Sequence, residues 1–212
     1  MQHTKKKVSL YKFLWSPIKN LKQKSVKEPL LLITGIFIVM AILGGIISVN
    51  FALNNEILAA LEKNITVEKD RLKIFLILIT SFITLLSAFT GNIIIAFMYK
   101  VIFILSKKDV NFRKVYYIFF YMGIISLLGI IVNGGISILF ELDEIQSLSS
   151  LSFIKIDDLY ITTLFKLIDI FYIIQIYTLA LFLKKVVCYS TRISILILVI
   201  HTSLMYVSQL FA

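Results

Sequence analysis

Five apolar runs of about 20 residues follow one another along the chain, and no other feature restricts its fold as strongly. At about 1.5 Å of helical rise per residue, each run is long enough to cross the ~30 Å hydrocarbon core of a bilayer. The runs are Leu30–Leu53, Ile74–Tyr99, Tyr117–Phe140, Leu164–Leu183 and Ile193–Ala212. Of the 212 residues 59% are apolar, mean hydropathy is +0.93 and there are two prolines, Pro17 and Pro29. That is more apolar surface than a soluble domain of this length hides. Backbone polar groups in lipid must be satisfied within the segment, which makes each run a helix. The expected fold is all-α: a polytopic membrane protein with five transmembrane helices over residues 30–212, preceded by a basic cytoplasmic segment, 1–29. The first run follows 29 residues and lacks the short basic start and small-residue cleavage site of a signal peptide, so it is expected to stay as an anchor.

Lys and Arg set the orientation. Residues 1–29, 100–116 and 184–192 carry 16 basic residues against two acids, Glu28 and Asp109, for a net +14. The remaining segments sum to −4. The positive-inside rule puts the first set in the cytoplasm, with the amino terminus inside and the carboxyl terminus outside. The chain's overall +10 is thus a topology signal, and no nucleic-acid partner is expected.

Ser9–Pro29 reads as an interfacial helix. Ser16 and Pro17 have the chemistry of a helix start. Leu14, Ile18 and Leu21 share a face beside Phe13 and Trp15, and Lys12, Lys19, Lys22, Lys24 and Lys27 supply the polar side. Such a segment lies on the inner leaflet, lysines on anionic lipid. A disordered basic tail that only enforces topology is the plainer alternative.

Within the runs, small and polar residues recur at helical spacing. The first has Ala41, Gly45, Ser48 and Ala52; the second Thr80, Thr84, Ser87 and Gly91 with Asn92 and Ala96; the third Gly123, Ser126, Asn133 and Ser137, with Gly134 beside them. Helix association in lipid relies on close packing and interhelical hydrogen bonds, so these positions read first as packing seams and second as a solute path.

One acid and one histidine stand inside the runs: Asp169 in "LFKLIDIFYIIQ" and His201 in the last run. An Asp near a helix centre costs about 2.5–3.5 kcal/mol on insertion scales, so something must offset it. An Asp169–His201 pair would make a proton relay or coupling site. The structural reading, which is favoured, pairs Asp169 with Lys166, three residues earlier and close to the outer interface.

No enzyme signature is present. The runs hold one Asp and one His, too few for an intramembrane nucleophile with its base, a carboxylate pair or a metal set. Phosphate-binding glycine loops are missing, and no cofactor is expected. Cys188, the single cysteine, has no internal disulfide partner and reads as an incidental thiol. Asn64–Thr66 fits the short glycosylation pattern on the expected outer side.

The order of these features resembles the YIP family, the Ypt/Rab-interacting membrane proteins, over nearly the whole chain. The likeness rests on the basic lead-in with Ser16–Pro17 and Pro29, and on the hairpin "LSKKDVNFRKVYYIFFYMGII", where Phe112, Arg113, Lys114 and Tyr116 occupy the family's aromatic and basic places. It rests also on Asp169, Phe171 and Ile173 at the start of the fourth span, and on the inner turn "KKVVCYSTRISI". The chain departs from the family at Ser106–Lys108, where a turn glycine is common, at Met122–Gly123, where a proline is common, and near Tyr177–Ala180, which lacks the glycine often found late in the fourth span. The resemblance implies a non-enzymatic protein that works beside others: eukaryotic relatives act with small GTPases in membrane traffic, and bacterial ones include accessory proteins of transporters that protect against antimicrobial peptides. The Lys- and Ile-rich composition favours the bacterial plasma membrane. Expected partners are anionic inner-leaflet lipids and a membrane protein or further copies of the chain. The alternative is a permease or channel using Asp169, Asn133 and His201; neither an inverted repeat nor a pair of Gly/Pro-broken spans supports it.

Overall fold

The computed structural model describes residues 27–53, 69–142, 149–151, 154 and 158–211. Among them the chain is all-helical: α1 (Lys27–Leu53), α2 (Lys69–Leu105), α3 (Phe112–Leu139), α4 (Leu159–Leu167), α5 (Ile170–Lys185) and α6 (Thr191–Leu210). The expected interfacial segment with Trp15, Pro17, Lys19 and Lys22, and the Asn64–Thr66 triplet, lie outside the described residues.

Four helices are long and apolar enough to cross a membrane: α1, α2, α3 and α6. The expected span 164–183 is the exception. It is divided at Ile168–Asp169 into α4, of nine residues, and α5, of 16, which is about 24 Å of helix and short of a full bilayer core. Hydropathy does not register such a break, because Ile168 and Asp169 sit in an otherwise apolar run. The backbone does: Ile168 has φ −79° and ψ 66°, and the Asp169 N–H donates to the Leu167 carbonyl at 2.8 Å, an inverse γ-turn.

α5 nevertheless carries the chain from one end of the bundle to the other. Its start is tied to Ser149, after α3, while the loop beyond its end receives a hydrogen bond from Lys108 Nζ to the Cys188 carbonyl at 3.2 Å. α2 also differs from expectation. It continues through Lys100–Leu105 to a length of 37 residues, about 56 Å, and leaves Ser106–Asn111 as the connection to α3.

Helix ends are defined by ordinary chemistry. Asn111, Asp158, Asp169 and Ser190 cap α3, α4, α5 and α6 with side-chain oxygens that accept from first-turn N–H groups. α2 ends in a Schellman motif: Lys108 N–H donates to the Phe103 carbonyl and Lys107 N–H to the Ile104 carbonyl, with Lys107 at φ 55°. Lys107 thus takes a left-handed position that favours glycine, at about 1 kcal/mol.

α3 is the central helix, packed on α1, α2 and α5, while α6 packs on α4 and α5. The core is aromatic and lies toward the end bearing the basic loops. Phe37 and Phe120 approach to 4.8 Å between ring centroids, Tyr99 and Phe119 to 4.7 Å, and Tyr116 stacks on Phe120 at 4.1 Å. Such rings contribute about 0.5–1.5 kcal/mol per pair beyond the area they bury.

Candidate functional site: a lateral cleft and a capped break

Two places collect the polar side chains of the bundle. The first is the break. The Asp169 carboxylate accepts from the Phe171 N–H at 2.7 Å and, more weakly, from the Tyr172 N–H at 3.4 Å, so it caps α5. It also accepts a hydrogen bond from the Ser149 hydroxyl, which in turn accepts from Asn133 Nδ2 of α3 at 3.1 Å. The Ile170 N–H to Ser149 carbonyl bond, at 3.2 Å, adds an isolated antiparallel bridge between Ser150 and Asp169. An ionised carboxylate at a helix N-terminus is favoured by the unpaired N–H groups and the macrodipole. This offsets the insertion cost. Lys166 does not supply the offset: it is exposed on α4 and forms no ion pair with Asp169.

The second is a cavity of about 450 Å³ between α2 and α6, floored by α3. α2 and α6 are not closely packed on one another; the Tyr99 hydroxyl and His201 Nδ1, 3.0 Å apart, bridge them at one end. Thr84, Ser87 and Asn92 line the α2 wall, Gly123 and Ser126 the floor, and His201 and Met205 the α6 wall, with Gln175 reaching in from α5. Ile83 and Ser87 on the α2 wall are exposed, so the cleft opens sideways, toward lipid in a membrane.

The expected seam residues divide between packing and this cleft. A Cβ at Gly45 would stand 2.6 Å from Ser81 Cα, which fixes the close approach of α1 to α2. A Cβ at Gly123 would meet Asn92 and Phe37 at 2.7 and 2.9 Å. Gly134 is buried in α3, and Ser48 is half-buried with its hydroxyl on the Gly44 carbonyl. Thr84 and Ser87 face the cleft instead, and nothing lies within 4 Å of where a Cβ on Gly91 would stand. Asn92 spends its amide on the Ala88 carbonyl of its own helix at 2.7 Å. His201 meets Tyr99, not Asp169; Asp169 meets Asn133 through Ser149.

Sequence reasoning missed Ser149, Tyr99 and Gln175. Ser149 sits in an unpatterned polar stretch and gains its role through the fold alone. Asp169 did carry a readable sign: an Asp directly before an apolar helical run, with a lysine in the preceding turn, is a helix stop followed by a start.

Among the described residues the chain is all-helical, with four helices long and apolar enough to cross a membrane and a polar-lined lateral cleft, which suggests a membrane protein. No family model, curated protein or solved structure matches the chain.

Proposed function

We propose that this chain is a non-enzymatic, multi-pass protein of a bacterial plasma membrane, related to the YIP family, that serves as an accessory or scaffolding component of a membrane complex. Protection against antimicrobial peptides or toxins through a transporter, and membrane organisation, are the roles that fit. The observation that carries this reading is how the polar groups inside the helices are used. Asp169 holds the start of α5 and the segment at Ser149; His201 holds α6 to Tyr99; Tyr172 donates to Thr202 across α5 and α6 at 3.3 Å. Thr34, Thr90 and Thr178 return their hydroxyls to carbonyls one turn back. These are the connections of a stable bundle. A coupled transporter would keep an ionisable pair available to its solute.

The basic loops support a cytoplasmic assignment for the end where Lys107, Lys108, Arg113, Lys114, Lys184, Lys185 and Arg192 gather, with the amino terminus on that side and the carboxyl terminus opposite.

The cleft favours a second reading, a permease or channel for a small solute. Mild-detergent extraction from the native membrane, affinity capture and mass spectrometry separate the two. Transporter subunits recovered in fixed ratio support the accessory role. Recovery of the protein alone or with its own copies, followed by solute flux in liposomes reconstituted with it, would refute that role and establish the permease.

A further inference from the structure

We infer that the α2–α6 cleft is a binding site for an uncharged, hydrogen-bonding amphiphile taken up from the bilayer. This is a function separate from scaffolding, and it stands on the cleft's own chemistry. Its volume, about 450 Å³, lies in the range of small-molecule sites, about 300–1,000 Å³. None of its lining residues is Asp, Glu, Lys or Arg, so a ligand charge would meet no counter-charge there. Most of the lining is apolar, yet Thr84, Ser87, Asn92, Ser126, Gln175 and His201 bring neutral donors and acceptors into one chamber. Hydrocarbon chains alone would leave the remaining hydrogen-bonding capacity of this lining unused, and a polar solute arriving from water would have to cross lipid to the lateral opening. A hydrocarbon body with one or two hydroxyl, carbonyl or amide groups satisfies both halves of the lining.

An apolar transmembrane helix of a partner fits less well, since its hydrocarbon surface brings no partners to the neutral donors and acceptors of the lining. The floor is also held open locally: Gly123 has no side chain to project toward Asn92, and Asn92 is drawn back to its own helix through Ala88. His201 is oriented by Tyr99, which sets which ring edge faces the chamber.

The test uses the full chain in lipid nanodiscs and three photoreactive diazirine probes of equal alkyl length: a monoacylglycerol, a fatty acid ionised at the working pH, and an alkyl trimethylammonium. The expected result is saturable labelling by the monoacylglycerol, mapped by mass spectrometry to peptides of α2 around Thr84–Asn92 and of α6 around His201–Met205, competed by unlabelled monoacylglycerol, with at least tenfold less from either charged probe. Ser87→Trp, on the exposed wall, is expected to lower the labelling at least tenfold, and Ser126→Phe to do the same from the floor. Ile104→Trp, exposed on α2 outside the cleft, is expected to leave it unchanged. Equal labelling by all three probes, labelling spread over the lipid-facing surface, or labelling that both cleft-filling variants leave intact while the protein stays folded would overturn the site. Displacement of the probe by a co-purifying membrane protein would overturn it in favour of a helix-docking groove.

Discussion

Replacing Asp169 by Ala removes the cap of α5 and the acceptor for Ser149 in one step. Loss of an N-cap costs about 0.5–2 kcal/mol, and loss of a hydrogen bond to a charged group about 1.5–3 kcal/mol. Removing the carboxylate also removes its desolvation penalty, which pulls the sum toward its lower half, about 2–3 kcal/mol. Asn caps as well as Asp, so Asp169→Asn should lose only the charge–dipole term and part of the Ser149 bond, about 1 kcal/mol. Lys166→Ala should change stability by less than about 0.5 kcal/mol, since Lys166 is exposed. Reversible unfolding in mixed detergent micelles, followed by circular dichroism, measures all three. Limited trypsin digestion adds a local readout, with faster cleavage after Lys166 expected in Asp169→Ala as the α4–α5 junction loosens. Equal losses for Asp169→Ala and Asp169→Asn would show that charge, not capping, holds the segment. A Lys166→Ala loss as large as that of Asp169→Ala would restore the ion pair expected from sequence and refute the capping argument.

Gly45→Ala should force α1 and α2 apart at Ser81 and cost about 1–3 kcal/mol, whereas Gly91→Ala, in open space on the same bundle, should be neutral or stabilise by up to about 1 kcal/mol; unfolding midpoints compare the two. A double-mutant cycle of Tyr99→Phe and His201→Ala should give a coupling of about 0.6 kcal/mol, typical of interhelical hydrogen bonds in membranes, and no coupling would mean the α2–α6 bridge is incidental. Lys107→Gly relieves the left-handed strain at the end of α2 and should stabilise by up to about 1 kcal/mol in the same unfolding assay. Exposed Cys188 gives a topology test without any engineering. A membrane-impermeant maleimide should label it in inverted vesicles and not in intact cells, and the reverse would overturn the cytoplasmic placement of the basic loops.

The apolar runs by themselves determined the class of fold. With no water to pair with backbone groups in lipid, a 20-residue apolar segment has little choice but helix, so α1, α2, α3 and α6 stand within a few residues of the runs that foretold them, apart from the extension of α2 beyond Tyr99. Hydropathy sums side chains and is blind to the backbone between them. It therefore read 164–183 as continuous, although Asp169 prefers to stop one helix and start the next. What Asp169 pairs with was a matter for the tertiary structure alone: Ser149 and Asn133 lie 20 and 36 residues earlier, and no spacing rule joins them. The same holds for the cleft. Thr84, Ser87 and Ser126 show the spacing of packing residues, and small residues pack only where a neighbouring helix comes close. Whether α6 closes on α2 is decided by how α4 and α5 position it against α3, a relation between distant elements that no local pattern encodes.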